Sequence, residues 1–244
     1  MNKGKIIIVT GGSGLIGREI MKTLSSQGFK AINFDIADTD ELDEPFVKCN
    51  ITQPKAVNQA LKKVETLYGP VYGLVNNAYP RTKDWGLPFE EIPYDSWSQN
   101  VDMQLNAVFY ITQQVIKGMV ERKEGRIVNI SSIYGVVGND FTIYENTQLS
   151  PPAAYSAIKG GLVNFSRYLA SKFGKKGISV NCVSPGGIFD HQPEAFVEAY
   201  EHKVPMKRMG NPGDISPAVA FFMSEGAGYI TGQNLVVDGG WTCI

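Results

Sequence analysis

Lys5-Ile6-Ile7-Ile8-Val9-Thr10-Gly11-Gly12-Ser13-Gly14-Leu15-Ile16-Gly17 is the stretch on which the fold turns. The apolar, β-branched run ahead of the glycines has the pattern of a strand buried on both faces, and a helical pattern begins after Gly14. Gly12, Gly14 and Gly17 spell G-x-G-x-x-G at that junction. Glycines there let the backbone turn tightly, let a pyrophosphate approach with no Cβ in the way, and let the helix pack closely on the strand. The helix N-terminus then offers unpaired N–H groups to phosphate oxygens. Taken alone, the pattern is equally compatible with a purely structural turn.

Outward from this turn, short apolar runs alternate with longer amphipathic segments. Runs at 5–10, 31–35, 46–50, 71–76, 126–131, 179–183 and 234–237 read as seven strands, and helical stretches begin near Leu15, Gln53, Ser98, Pro152 and Asp214. The alternation predicts an α/β, single-domain Rossmann fold, a doubly wound seven-stranded parallel sheet flanked by helices. A stripe at helical spacing, Leu105, Val108, Phe109, Thr112, Val115, Ile116 and Met119, is predicted to be core. The 244 residues suit one domain over 1–244, because α/β domains often exceed the usual ~100–200 residues, and no separate substrate domain fits. Irregular stretches at 133–152 and 186–210 are the expected substrate loops, since ligands of such sheets bind outside the C-terminal ends of the strands.

Composition narrows the function classes. Lys plus Arg (23) nearly balance Asp plus Glu (24), which gives no electrostatic reason to expect nucleic acid or an anionic membrane as partner. The apolar run 6–9 is too short for a signal segment or a membrane span, so a cytoplasmic protein is expected. Cys49, Cys182 and Cys243 show no metal-ligand spacing and cannot all pair, which reads as reduced thiols. His191 and His202 show none either, and no metal is expected. The 26 glycines exceed the usual ~7% without a G-X-Y repeat, so they are expected at particular turns.

Asp35 ends the second predicted strand, 18 residues past Gly17, near the ~20-residue spacing of the acid that binds the adenosine ribose hydroxyls. A carboxylate there repels a 2′-phosphate, and no Lys or Arg follows in Ile36-Ala37-Asp38, which favours NAD over NADP.

Pro151-Pro152-Ala153-Ala154-Tyr155-Ser156-Ala157-Ile158-Lys159-Gly160-Gly161 places Tyr155 and Lys159 four apart, on one helix face. By themselves they could be a surface tyrosine beside a solvated lysine. Joined to the glycine turn, Asn76-Asn77-Ala78, Asn129-Ile130-Ser131-Ser132, Pro185-Gly186, Ile230-Thr231-Gly232-Gln233 and Val237-Asp238-Gly239-Gly240, the segment closely resembles the short-chain dehydrogenase/reductase family over essentially the whole chain. The resemblance implies that Tyr155 exchanges a proton with the substrate oxygen as hydride moves to or from nicotinamide. A phenol of pKa ~10 must fall about 2–3 units to be a useful base near neutral pH. Lys159 would supply the positive charge, helped by the oxidised nicotinamide ring, and would hold the nicotinamide ribose. Ser132 would hydrogen-bond the reacting hydroxyl or carbonyl, with Ser131 a structural neighbour. Asn106, in Gln104-Leu105-Asn106-Ala107, would carry a water-linked proton relay to the lysine; a buried Asn satisfying a helix carbonyl is the other reading.

The resemblance further implies cofactor contacts from Gly11, Ser13, Gly14, Leu15, Ile16 and Gly17 in the turn. Asp35, Asn50, Ile51, Asn76 and Ala78 would line the adenosine side; Tyr155, Lys159, Pro185, Gly186 and Ile188 would stand at the nicotinamide end. Leu15 replaces a usual glycine, Asn50 a common aspartate, and Tyr79 the glycine of N-N-A-G, which sets a bulky phenol near the cofactor pocket. Relatives are commonly tetramers, so a homotetramer or homodimer is implied.

Ser132 and Tyr155 stand 23 positions apart, farther than usual in the family, so an insertion lies between them. Its segment Asn139-Asp140-Phe141-Thr142-Ile143-Tyr144-Glu145-Asn146-Thr147-Gln148 suits a polyhydroxylated ligand better than a long acyl chain; an insertion at a subunit surface is the alternative. Asn77-Ala78-Tyr79-Pro80-Arg81 and Ser184-Pro185-Gly186-Gly187-Ile188-Phe189-Asp190 resemble oxidoreductases of bacterial surface-polysaccharide and flagellin-glycan pathways. That implies a sugar substrate, free or carrying phosphate or nucleotide, with Arg81, Tyr144 and His191 as candidate contacts and Lys83 nearby. The expected activity is NAD-dependent interconversion of a secondary alcohol and a ketone. A 3-oxoacyl-carrier-protein-type ketoreductase and a non-catalytic dinucleotide-binding protein are the alternatives.

Overall fold

A computed structural model describes residues 4–37 and 44–244. Strands β1 (Ile6–Thr10), β2 (Lys30–Asp35), β3 (Phe46–Lys48), β4 (Val71–Asn76), β5 (Gly125–Ile130), β6 (Ile178–Pro185) and β7 (Asn234–Val237) form one sheet in the order β3-β2-β1-β4-β5-β6-β7. Every pairing is parallel. The chain winds outward from β1 in one direction, crosses back to β4, and winds outward in the other, which makes the doubly wound sheet that the alternation predicts. All seven predicted strands are present, with ends shifted by one or two residues.

Helices cover both faces, so β1, β4 and β6 are buried along their whole length. On one face, Ile20, Met21 and Leu24 of α1 (Leu15–Ser26) interlock with Ile215, Val219 and Met223 of α7 (Pro212–Met223). On the other, α2 (Pro54–Tyr68), α4 (Ala107–Arg122) and α5 (Ala153–Phe173) bury Val57, Leu61, Ile111, Met119 and Leu169. Each such side chain contributes about 1.5–3 kcal/mol when fully buried. Among the described residues no helix is long and apolar enough to cross a membrane. Cys49 and Cys182 are buried free thiols, each pushed up to about 11 by burial, and Cys243 is an exposed free thiol.

Three expectations are corrected. The predicted core stripe holds except at Phe109, which is 47% exposed and rests on Phe165. Its helix starts earlier than Ser98, as α3 (Tyr94–Val101), and joins α4 through a π turn at Asp102–Asn106. A π turn spaces residues more widely than 3.6 per turn and so rotates the faces on either side of it. The stretch 186–210 is not all irregular, because it contains α6 (Glu194–Lys203). That helix buries only Phe196 and Tyr200, too few positions to give a readable period.

The insertion is folded. It contains the short 3-10 turns Ile133–Gly135 and Phe141–Tyr144. Ile143 is fully buried with Phe196, Tyr200, Val204 and Met209 in a small core of its own. Asp140 caps the second turn by accepting from the Thr142 N–H and also takes the Lys203 ammonium of α6. Insertion and α6 together form a roof beyond the C-terminal ends of the strands.

Where α1 leaves β1, the helix comes so close that a Cβ on Gly17 would lie 2.0 Å from the Gly11 carbonyl oxygen. Gly213, in the first turn of α7, has no atom within 4 Å of its would-be Cβ. Gly17→Ala is therefore expected to destabilise by about 1–3 kcal/mol, whereas Gly213→Ala should be neutral or stabilising by up to ~1 kcal/mol. Urea midpoints at unchanged slope measure both, and the reverse order would show that this close approach is not what requires Gly17.

Candidate active site

The ends of the central strands open into one cleft of about 790 Å³ beneath that roof. At one end lies the glycine turn. Gly11 adopts a positive φ of 66° and would clash with Ala78 if it carried a Cβ, at 2.8 Å from the Ala78 Cα. Asn77 donates from its side-chain amide to the carbonyls of Thr10 and Gly11, and Thr10 Oγ1 accepts from the N–H groups of Asn77 and Ala78. Helix α1 starts at Gly14 with no side-chain cap, so its first N–H groups remain available to an anion. Gly11, Gly14, Leu15 and Ile16 line the cleft, while Ser13 and Gly17 do not. Ser13 is turned toward β2, where its hydroxyl accepts from Asn33 and donates to the Ala37 carbonyl. A bare backbone concavity, an open helix N-terminus and a carboxylate at the end of β2 fit the pyrophosphate and ribose of a dinucleotide.

That carboxylate, Asp35, lines the cleft with Asn50 and Ile51. Its two oxygens accept from the N–H groups of Ser13 (3.0 Å) and Ile36 (2.7 Å), which ties β2 to the turn. Asp38 lies outside the described residues. Asn50 commits its side-chain oxygen to the N–H and hydroxyl of Thr52. Asn76 is not at the cleft. It is 3% exposed and donates to Thr112 and to Asn129, which in turn donates to Ser166. Its neighbour Asn77 lines the cleft instead, as the alternation of side chains along a strand requires.

At the other end Tyr155, Lys159 and Ser132 come together, with Pro185, Gly186 and Ile188 beside them on the cleft wall. The Tyr155 phenol and the Ser132 hydroxyl are neighbours on the cleft wall, and Ser132 Oγ accepts from the Tyr134 N–H at 3.2 Å. Lys159 is 7% exposed, donates from Nζ to the Ile130 carbonyl at 2.8 Å, and lies 5.4 Å from the Tyr155 ring centre. Ser131 donates to the backbone carbonyl of Lys159 at 2.8 Å, a structural tie. Burial raises the Tyr155 phenol above its ordinary value, while the Ser132 hydroxyl pulls the other way. Burial lowers Lys159 to about 8. Burial thus opposes the depression of Tyr155 expected from Lys159, because a desolvated acid and a desolvated base both shift toward their neutral forms.

Asn106 stands apart from these groups. It is exposed and donates to the Asp102 side chain at 3.0 Å. The buried polar group of the same π turn is Gln104, 3% exposed, whose Nε2 has no protein partner. Of the candidate substrate contacts, Arg81 and Tyr144 line the cleft. His191 is exposed and packs against Phe189, and Lys83 is exposed as well. The sequence reading missed Tyr134, Gln192, Phe196 and Tyr200, all on the wall. It noted Tyr79 only as a departure, yet Tyr79 and Trp85 meet the Tyr155 ring edge-on at 5.6 and 6.3 Å. Among the described residues no group of three or more His, Cys, Asp or Glu could hold a metal ion.

The chain is similar to known proteins over nearly its whole length. A family model described as enoyl-(acyl carrier protein) reductase matches residues 13–242. Post-translational flagellin modification protein A of Campylobacter coli is 33% identical over 99% of both chains. The 3-oxoacyl-acyl-carrier-protein reductase FabG of Escherichia coli (strain K12) is 33% identical over 98% of this chain and 97% of its own. A short chain dehydrogenase from Leptospira borgpetersenii, solved with bound NAD+, superposes with a TM-score of 0.90 at 33% identity, covering 98% of this chain and 93% of that one. With its seven-stranded sheet, its glycine turn and the Ser132–Tyr155–Lys159 cluster, the chain belongs to the short-chain dehydrogenase/reductase family, oxidoreductases that act on CH–OH groups.

Proposed function

We propose that the chain interconverts a secondary alcohol and a ketone with NAD(H), on a sugar or a similarly hydroxylated polar molecule. The observation that carries this reading is the convergence of Ser132, Tyr155 and Lys159 in the same cleft as the bare phosphate turn. When bound, the nicotinamide supplies or accepts the hydride. The residues of the chain do the rest. Ser132 and Tyr155 hold the substrate oxygen between two hydroxyls, and Tyr155 gives or takes the proton at its phenolic oxygen. Lys159, fixed by the Ile130 carbonyl, keeps its ammonium beside that ring.

Asp35 supports NAD over NADP. The cationic side chains among the cleft residues are Arg81 and Lys159, and these lie close to Tyr79, Lys159 at the catalytic end and Arg81 over that ring. A 2′-phosphate beside Asp35 would meet like charge. A second reading, reduction of a carrier- or coenzyme A-bound 3-oxoacyl group, draws on the relatives named 3-oxoacyl-acyl-carrier-protein reductase and acetoacetyl-CoA reductase. The phenol-lined roof and Asp35 favour the sugar reading, as does the flagellin modification relative.

Three measurements test these assignments. Tyr155→Phe should lower kcat by ~10²–10⁴-fold while NADH still binds by fluorescence titration; unchanged turnover would remove Tyr155 from the chemistry. NADH should bind at least about tenfold tighter than NADPH, since apposed like charges cost several kcal/mol, and tighter NADPH binding would overturn the role given to Asp35. The third concerns pH. The folded protein holds Lys159 near 8 against an ordinary 10.5, so between those values the unfolded chain binds more protons and this group makes stability rise with pH. Relative to Lys159→Met, wild type should gain up to ~1.4 kcal/mol per unit from pH 8 to 10. A pH-independent difference in urea melts would show that the lysine is not desolvated.

A further inference from the structure

The roof over the catalytic end brings together phenols that the proton transfer itself does not use. Tyr134 follows Ser132 closely in the first 3-10 turn, Tyr144 closes the second, and Tyr200 comes from α6; all three line the cleft. The Tyr134 and Tyr144 phenols stand side by side on this wall, close enough to shift each other's ionisation. Tyr144 and Tyr155 line the same cleft. Tyr200 accepts from the Gly187 N–H at 2.7 Å, so its own hydroxyl hydrogen remains free to donate. These rings are held firmly. Tyr144 packs on Phe196 and Tyr200 stacks on Trp241 at 4.5 Å, while Asn139 accepts from Ser156, the residue after Tyr155.

Burial raises all three phenols above their ordinary value, so near neutral pH each is an uncharged donor and acceptor. Among the described residues no ammonium or guanidinium is hydrogen-bonded to these phenols. The guanidinium of Arg81 lies 5.3 Å from the Tyr79 ring instead, and the roof's lysine, Lys203, is engaged by Asp140 and Thr142. A phosphate or carboxylate placed here would be desolvated without a counter-charge. An alkyl chain would strand the phenols' hydrogen-bonding groups. A neutral hydroxyl would satisfy them, and the aromatic faces would cover the C–H surface of a ring.

We propose that Tyr134, Tyr144 and Tyr200 form a subsite that reads an uncharged hydroxyl on the carbon next to the one oxidised. The substrate class is then a cyclic vicinal diol and its α-hydroxyketone, with any anionic substituent directed away from the roof. This rests on the alcohol–ketone activity proposed above.

The test compares two ketones with the full chain and NADH, followed by absorbance: 2-hydroxycyclohexanone, reduced with one added proton to 1,2-cyclohexanediol, and cyclohexanone, reduced to cyclohexanol. The hydroxyketone is expected to have a kcat/KM at least about tenfold higher, the worth of one satisfied buried hydrogen bond. In Tyr144→Phe that ratio should fall to within about twofold of unity, chiefly through KM, with NADH titration showing that the variant is folded. Tyr134→Phe, which leaves the Tyr144 phenol in place, should lower the ratio less. Equal use of the two ketones by wild type, or a ratio that Tyr144→Phe leaves unchanged, overturns the subsite while the activity stands. Turnover of acetoacetyl-CoA with neither cyclic ketone overturns the subsite and the sugar reading together. Tight NADH binding with no turnover of any of the three overturns the subsite together with the alcohol–ketone activity.

Discussion

Two hydrogen bonds in opposite directions fasten α5 to the end of β5, and the geometry of the cleft follows from them. Lys159 Nζ donates to the Ile130 carbonyl, and Ser131 Oγ donates to the Lys159 carbonyl, each at 2.8 Å. Ser132 is the next residue of the chain beyond β5, and one helical turn back along α5 is Tyr155. Fixing the strand end to the helix therefore fixes the serine hydroxyl against the phenol. Gly135 allows the contact to close, since a Cβ there would lie 2.8 Å from the Lys159 backbone. Below, Asn129 continues the join by donating to Ser166 of α5 while accepting from Asn76 of β4. Buried polar groups tied to one another rigidify a site, because breaking one bond leaves a desolvated partner at a cost of about 1–3 kcal/mol.

The same burial sets an electrostatic problem. The phenol proposed to exchange a proton and the amine proposed to stay charged are both desolvated, and both shift toward neutrality. Ser132 opposes this at the phenol; the Ile130 carbonyl accepts from the Lys159 ammonium. The rings of Tyr79 and Tyr155 present their faces to the ammonium at 5.6 and 5.4 Å, and such contacts are worth about 0.5–2 kcal/mol. One unit of pKa corresponds to about 1.4 kcal/mol, so these contacts offset part of the desolvation of Lys159. At the phenol burial outweighs the effect of Ser132, and the net shift stays upward.

What was legible in the sequence is what depends on neighbours along the chain. The glycine turn, the seven buried strands and the Tyr155–Lys159 spacing are local patterns with local physical causes. The misplacements all arise where a three-dimensional event decides which way a side chain faces. Asn76 and Asn77 are adjacent and identical, and only the parity of β4 sends the first into the core and the second to the cleft. Asn106 reads as the polar helix residue aimed at the lysine, but the π turn rotates it outward and leaves Gln104 inside. His191 follows a loop whose positive φ of 56° carries it toward solvent beside Phe189. Tyr200 could not be singled out, since its place on the wall depends on α6 docking beneath Trp241.

That docking bears on how a single domain acquires specificity. The roof could be fastened by charge or by burial, and the magnitudes separate the two. The Lys203–Asp140 pair has side chains 37% and 29% exposed, and a pair so open to water contributes about 0–1 kcal/mol. Ile143, Tyr200 and Val204 are each at most 2% exposed, and burying side chains of this size is worth about 1.5–3 kcal/mol apiece. Burial therefore holds the insertion on α6, and the ion pair sets its register. A roof held by packing brings its phenols to the substrate already oriented, so little ordering entropy opposes recognition. The insertion thus supplies a preformed wall of the cleft that faces the glycine turn.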